Sequence, residues 1–187
     1  MSKALIITYD QFQDQEVVYP YYRLEGELIE THIVSSNRDE KNRTYGILGV
    51  NMPCHLTLDE FKANIENNLE SYELLILPGG VKSLEKLRQE HFVIDFIRKW
   101  HDLGKLIAST CHGAQLLISA GVTKNRKISG YYSIEVDIRN SGAIYSREPV
   151  CVDGNIVSSP HYDHMGIWME TVINLWKRSK GGASKVE

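Results

Sequence analysis

The chain has 187 residues, of which 42% are hydrophobic and 24% are charged, so it is long and apolar enough to bury a sizeable core. Its formal net charge of −3 and pI near 6.2 come without a basic stripe, so we expect no nucleic-acid partner. The apolar runs are much shorter than the roughly 20 residues that cross a bilayer, so we expect no membrane partner. Three cysteines without metal or disulfide spacing, and no signal-peptide layout, favour the cytoplasm.

Predicted strands and helices alternate along the chain. Short apolar runs predict strands over 4–8, 29–36, 73–77 and 106–109, a hairpin or loop strand over 45–53, and a hairpin over 150–158 that turns at Asp153-Gly154. Helical patterns cover 13–25, 92–103, 114–120, 133–140 and 162–176. We expect one domain over 1–178 and a disordered polar tail over 179–187.

Such alternation is typical of βαβ units, which give a mostly parallel sheet with helices on both faces. Sites in such sheets form beyond the C-terminal ends of the strands. Three polar or glycine-rich segments come directly after predicted strands, at 10–16, 78–80 and 111–112. We expect the fold to bring these segments together.

Cys111 lies where an apolar strand passes into an apolar helix, in the sequence Ser109-Thr-Cys-His-Gly113. So short a junction predicts a sharp turn, the geometry that exposes the nucleophile of α/β-hydrolases. Unpaired N–H groups and the helix dipole at that end lower the pKa of a thiol. Most free cysteines are only packed in a core, but this setting favours a nucleophile at Cys111.

Glu16 follows the first predicted strand, where a carboxylate in a first helical turn is ordinarily solvated. A carboxyl buried beside a thiol can instead carry a proton to or from a bound carbonyl. Asp14 is an alternative for this role, and spacing does not decide between the two. The side chains of consecutive residues at a helix start point about 100° apart, so we do not expect His112 to take the thiol proton directly. We expect His112 to tune the local electric field or to contact substrate, with a purely structural histidine as the alternative.

Pro78-Gly79-Gly80 forms a loop without side chains, which lets the backbone approach a ligand closely. The N–H groups of Gly80 and His112 are therefore a candidate oxyanion hole, with a plain turn as the alternative.

The remaining cysteines and histidines are interpreted as structural. Cys54-His55 repeats the Cys-His pair without the glycine and the apolar helix and is expected to be structural or interfacial, and Cys151 is expected to be packed. His161 and His164 are spaced like metal ligands, but no third ligand is evident, so we expect no metal and no cofactor. Asp163 is expected to cap the last helix, and His161 to lie at the rim of the site.

Together the stretches 74–80, 105–122 and 152–159 resemble the ThiJ/PfpI family of the class I glutamine amidotransferase-like superfamily, and 4–16 is similar to its first strand and acidic loop. The resemblance runs from about Lys3 to Leu175. It implies a flavodoxin-like three-layer α/β sandwich with Cys111 as nucleophile, Glu16 hydrogen-bonded to it and His112 beside it. It also implies a homodimer or a higher homo-oligomer.

Family members are described as intracellular cysteine peptidases, as glyoxalase III or deglycase enzymes, or as stress proteins. In the peptidases a glutamate from a neighbouring subunit, four residues after the second glycine, completes the triad. That position is Leu84 here, Glu85 comes one residue later, and His161-Tyr162 replaces a Ser-Arg pair. We therefore favour a cysteine-dependent enzyme for small reactive carbonyls or their adducts. A peptidase or amidase acting on peptide substrates, and a non-catalytic redox sensor, are the alternatives.

Overall fold

The structure of the chain, a computed structural model, describes residues 2–182, with side chains through residue 180. Its strands are β1 (Lys3–Ile7), β2 (Glu30–Ser35), β3 (Arg43–Tyr45), β4 (Asn51–Pro53), β5 (Leu56–Thr57), β6 (Leu74–Leu77), β7 (Leu106–Thr110), β8 (Lys127–Ser129), β9 (Ile144–Ser146), β10 (Cys151–Asp153) and β11 (Ile156–Ser159). Its helices are α1 (Asp14–Glu25), α2 (Leu58–Ala63), α3 (Ile65–Ser71), α4 (Val81–Leu87), α5 (His91–Asp102), α6 (Ala114–Ala120), α7 (Glu135–Asn140) and α8 (Met165–Gly182).

A seven-stranded sheet forms the centre of the molecule, in the order β10-β11-β7-β6-β1-β2-β5. All neighbouring strands in it are parallel except β10 and β11, which form the predicted hairpin. The segment predicted as a hairpin or loop strand is the antiparallel pair β3–β4, and β8 and β9 form a separate parallel pair.

Helices cover both faces of the sheet, because successive side chains of each strand point to opposite faces. Leu5 and Ile7 of β1 lie in one core with residues of α2 to α7, while Ala4 and Ile6 lie in the other with residues of α1 and α8. Strands buried on both faces have the near-continuous apolar sequences seen here. The predicted three-layer α/β sandwich is confirmed.

Several boundaries differ from the prediction. The last helix does not end at Trp176 but continues to Gly182, so residues 179–182 of the predicted disordered tail are helical, and 183–187 lie outside the described residues. Helices α2, α3 and α4 were not predicted. The side chain of His161, not Asp163, caps the 3₁₀ turn that precedes α8, by accepting the N–H of Asp163. None of the described helices is long and apolar enough to span a membrane.

Candidate active site

Cys111 lies on a sharp turn between β7 and α6. Residues Cys111–Gly113 form one 3₁₀ turn, and Cys111 has φ of +55°, in the left-handed region that non-glycine residues seldom adopt. The turn is tight because Gly113 packs against the end of the neighbouring strand β6: a Cβ there would lie 2.2 Å from the carbonyl oxygen of Leu77. A strained backbone at a buried thiol is typical of a functional position.

The carboxyl of Glu16 lies beside this thiol and is completely buried. Its Oε2 accepts the N–H of Gly79 at 2.6 Å, whereas its Oε1 has no hydrogen-bond partner among the described residues. A Cβ on Gly79 would lie 2.7 Å from Oε2 of Glu16 and 2.9 Å from Cβ of Cys111. Gly79 therefore lets the acid approach the cysteine.

The two groups perturb each other's protonation. Burial raises the pKa of Glu16 to about 7, against the opposing effects of the Gly79 N–H and the thiol. The expectation of a lowered thiol pKa is wrong: burial and the Glu16 carboxylate raise the pKa of Cys111, and the N–H groups of His112 and Gly80 oppose this rise only in part. Such a pair titrates as a unit. When Glu16 holds its proton, the charge that opposes a thiolate at Cys111 is absent.

His112 lies closer to the thiol than helical spacing predicts, with its Nδ1 3.2 Å from Sγ of Cys111. The angle of about 100° between consecutive helical side chains does not apply here, because Cys111 is not in a helical conformation. Burial lowers the pKa of His112, which favours the neutral imidazole. The backbone N–H groups of His112 and Gly80 both act on the thiol, so the candidate oxyanion donors converge on Cys111.

Asp14, the alternative proton carrier, serves a different loop. Its Oδ2 accepts the N–H of Leu48 at 2.8 Å and its Oδ1 accepts the N–H of Val50 at 2.9 Å. Gly46 lies against the same carboxylate, where a Cβ would be 2.2 Å from Oδ1. The structure thus places Glu16 at the cysteine and Asp14 at the β3–β4 hairpin.

The two other cysteines are buried within the chain, as expected for Cys151. Cys54 is 2% exposed and donates to the carbonyl of Leu56, and Cys151 is 4% exposed and donates to that of Lys127. Within residues 2–182 no three histidine, cysteine or acidic side chains come together as candidate metal ligands.

The position expected for a peptidase glutamate is apolar. Leu84 is completely buried in the core, and Glu85 is exposed on α4. Glu85 lines a polar cleft of about 480 Å³ that also includes Asp10 and Lys82.

Sequence reasoning did not identify Tyr131 as part of the site. Its N–H donates to the carbonyl of Cys111 at 3.1 Å, and its ring stacks on that of His112 with centroids 4.8 Å apart. Tyr131 lies between β8 and α7, and nothing in its local pattern indicates a neighbour 20 residues earlier.

Residues 2–175 match the sequence profile of the DJ-1/PfpI family. The chain belongs to the DJ-1/PfpI family. This confirms the resemblance drawn from the cysteine elbow and the Pro-Gly-Gly loop.

Relatives of similar length carry enzyme names. The chain is 38% identical over 175 residues to a protein of Pyrococcus furiosus named deglycase PfpI, covering 94% of this chain and 99% of the relative. It is 34% identical over 157 residues to protein/nucleic acid deglycase 2 of Escherichia coli, covering 82% and 85% of the two chains. Both of these relatives are named as deglycases.

Solved structures agree in fold. Schizosaccharomyces pombe DJ-1 superimposes with a TM-score of 0.82 at 16% identity, covering 99% of this chain and 100% of that one. At that identity the similarity shows the fold alone.

Proposed function

We propose that this chain is a cysteine-dependent enzyme of glyoxalase III or deglycase type, acting on small reactive carbonyls or their adducts. The observation that carries the proposal is a buried carboxyl, Glu16, with a pKa of about 7, beside the thiol of Cys111. A general acid or base works best when its pKa lies near the working pH. The deglycase names of the relatives point to the same chemistry.

In the first step the carboxylate of Glu16 takes the thiol proton of Cys111, and the thiolate adds to an aldehyde carbon. A carbon–sulfur bond forms, and the carbonyl electron pair moves to oxygen, where the N–H groups of Gly80 and His112 stabilise the charge until Glu16 returns the proton to that oxygen. If the substrate is a hemiaminal, the thiolate displaces the amine, which leaves with a proton from Glu16. Either route gives a hemithioacetal on Cys111.

In the second step Glu16 moves a proton. Its carboxylate removes the proton from the former aldehyde carbon, and the electron pair shifts toward the neighbouring ketone oxygen, which takes up the hydroxyl proton of the hemithioacetal. Glu16 then returns its proton to the former ketone carbon, and the former aldehyde carbon becomes the thioester carbonyl. The product is a 2-hydroxy thioester. Water then hydrolyses this thioester to a hydroxy acid and restores the thiol–carboxyl pair.

The test is lactate formation from methylglyoxal by the pure protein. Cys111→Ala should lower the rate at least about 100-fold, because it removes the nucleophile. Cys54→Ala is the matched control, since Cys54 is also a buried thiol but lies outside the site, and it should keep near wild-type activity. Equal rates for wild type and Cys111→Ala would overturn the proposal.

The peptidase alternative needs a carboxylate next to His112 from another subunit. Leu84 cannot supply one, so this alternative depends on Glu85 of a neighbouring copy. If the purified oligomer cleaved peptides and the Glu85→Gln variant did not, the peptidase alternative would be favoured over the carbonyl enzyme.

A redox-sensor role makes a different prediction. Selective peroxide oxidation of Cys111, measured by mass spectrometry in a protein without carbonyl turnover, would favour it.

We also propose a cytoplasmic homodimer or larger homo-oligomer. Three unpaired cysteines suit a reducing compartment, and the family resemblance suggests the assembly. Light scattering of the purified protein measures the oligomer, and a monomer at micromolar concentration would contradict it.

A further inference from the structure

A row of aromatic rings leads from the thiol of Cys111 to the protein surface. The imidazole of His112 touches Sγ, with Nδ1 at 3.2 Å. The ring of Tyr131 stacks on His112 at 4.8 Å between centroids and 29° between planes. The ring of His161 stacks on Tyr131 at 5.8 Å and 26°. In each of these two ring pairs the planes are stacked with a tilt below 30°.

The outer end of this row is fixed by its own turn. His161 Nδ1 lies 3.3 Å from the backbone N of Asp163, whose N–H it can accept, and 3.0 Å from Oδ2 of Asp163, to which it can donate when protonated. The ring of Tyr162 packs against His161 with centroids 3.8 Å apart. The inner end is fixed by the backbone, because the N–H of Tyr131 donates to the carbonyl of Cys111. Tyr131 is therefore held between an anchored imidazole and the elbow itself.

We propose that His161 is a positioning residue, which through Tyr131 holds the His112 ring against the Cys111 thiol. His161 does not touch the thiol; it limits the motion of Tyr131, and Tyr131 limits that of His112. The inference rests on the proposed function only in taking Cys111 as the reacting group. Stacked rings prefer these offset, near-parallel arrangements, and each such contact stabilises them modestly.

The consequence concerns the reactivity of the thiol. A neutral imidazole whose Nδ1 carries the proton can donate a hydrogen bond to the thiolate and so favour the thiolate over the thiol. If the ring is released, less of the Cys111 population is thiolate at a given pH. Loss of the His161 ring should therefore slow the reaction of Cys111 with an alkylating agent and move its pH profile upward.

The experiment measures the alkylation rate of Cys111 by iodoacetamide from pH 5 to 10, with the labelled peptide quantified by mass spectrometry. His161→Gln keeps a side-chain acceptor for the Asp163 N–H but has no ring, and it should be alkylated about 3- to 10-fold more slowly at pH 7. His161→Phe keeps a ring but loses the bond to Asp163, so its alkylation rate should lie between those of His161→Gln and the wild type. His164→Ala is the matched control, from the same turn but outside the ring contacts described, and should match wild type.

A double mutant separates positioning from a general structural effect. In a His112→Ala background, His161→Gln should cause no further loss, because the ring it positions is gone. Three results would each overturn the inference. His161→Gln could be alkylated at the wild-type rate, His161→Phe could be slowed as much as His161→Gln, or His161→Gln could slow alkylation just as much when His112 is absent.

Alkylation also keeps this inference distinct from the proposed function. Wild-type protein that reacts with iodoacetamide but forms no lactate would contradict the proposed function and leave the ring positioning intact.

Discussion

At the scale of single residues, the site depends on side chains that fit only because a glycine faces them. Gly79 lies between Glu16 and Cys111 and donates its N–H to the carboxyl. The φ angle of Gly79 lies outside the left-handed region, so an alanine there would not strain the backbone. Its Cβ would instead collide with the side chains of Glu16 and Cys111. The acid and the thiol can therefore be forced apart without changing either of them.

Gly79→Ala should lower the rate of carbonyl turnover at least about 100-fold, because a displacement of reacting groups by about 1 Å can slow a reaction by that factor. The overpacking should lower the free energy of unfolding by about 1–3 kcal/mol. Lactate formation and urea denaturation measure the two effects.

Gly104→Ala is the control for this variant. Gly104 has φ of +70° with open space around its Cβ position, so alanine there should cost about 1 kcal/mol of stability and leave turnover unchanged. A Gly79→Ala enzyme with normal turnover would show that the close approach of Glu16 to Cys111 is not required.

At the scale of elements, the N-terminal turn of α1 carries two carboxyl groups that contact different parts of the molecule. Asp14 and Glu16 are two positions apart on a helix and so point about 200° away from each other, which means that only one can face the cysteine. The helix period shows this from the sequence, but not which residue it is. The answer depends on the N–H groups of Leu48 and Val50, which come from a distant hairpin.

Asp14→Asn should loosen the β3–β4 hairpin without disabling the cysteine. An amide replaces a buried carboxylate that accepts two N–H groups, so we expect a loss of about 1–3 kcal/mol in the free energy of unfolding. Hydrogen exchange at Leu48 and Val50 should accelerate. Unchanged exchange together with lost alkylation of Cys111 would mean that Asp14 belongs to the reacting site.

The elements that sequence analysis missed have physical reasons. Helices α2, α3 and α4 have only six or seven residues each, a length at which an apolar stripe does not mark every helix, although α6 and α7 are as short and were predicted. One signal was visible: Thr57 and Glu60 form a capping box at the start of α2, each side chain bonded to the other's backbone N–H. The long apolar strands, by contrast, were predictable because parallel sheets bury both faces.

At the scale of the whole molecule, parallel strands bring three distant segments to one edge of the sheet. β1, β6 and β7 are neighbours, and the segments after their C-terminal ends hold Glu16, Gly79 with Gly80, and Cys111 with His112. The sequence predicted this meeting point from topology rules alone. It could not predict how deeply Glu16 is buried, because that depends on how all three loops pack.

Burial of Glu16 makes stability depend on pH. The pKa of this carboxyl is raised in the folded state, so the folded protein holds the proton more tightly than the unfolded chain does. The resulting stabilisation is complete below about pH 4.5 and is lost as the pH rises through about 7. Glu16→Gln resembles the protonated form at every pH.

Glu16→Gln should therefore be more stable than wild type at pH 8 by about 1–3 kcal/mol, with a smaller difference at pH 5. Urea denaturation at the two pH values measures this. A pH-independent difference, or a variant less stable than wild type at pH 8, would show that Glu16 is not held in the protonated form by burial.

The central claim, that Glu16 moves protons for a nucleophilic Cys111, is tested most directly by the lactate-forming rate of Glu16→Gln with methylglyoxal. We predict a fall of at least about 100-fold, since an amide cannot move the proton, while Cys111 of the same variant still reacts with iodoacetamide. Lactate formation by Glu16→Gln at near the wild-type rate would contradict it.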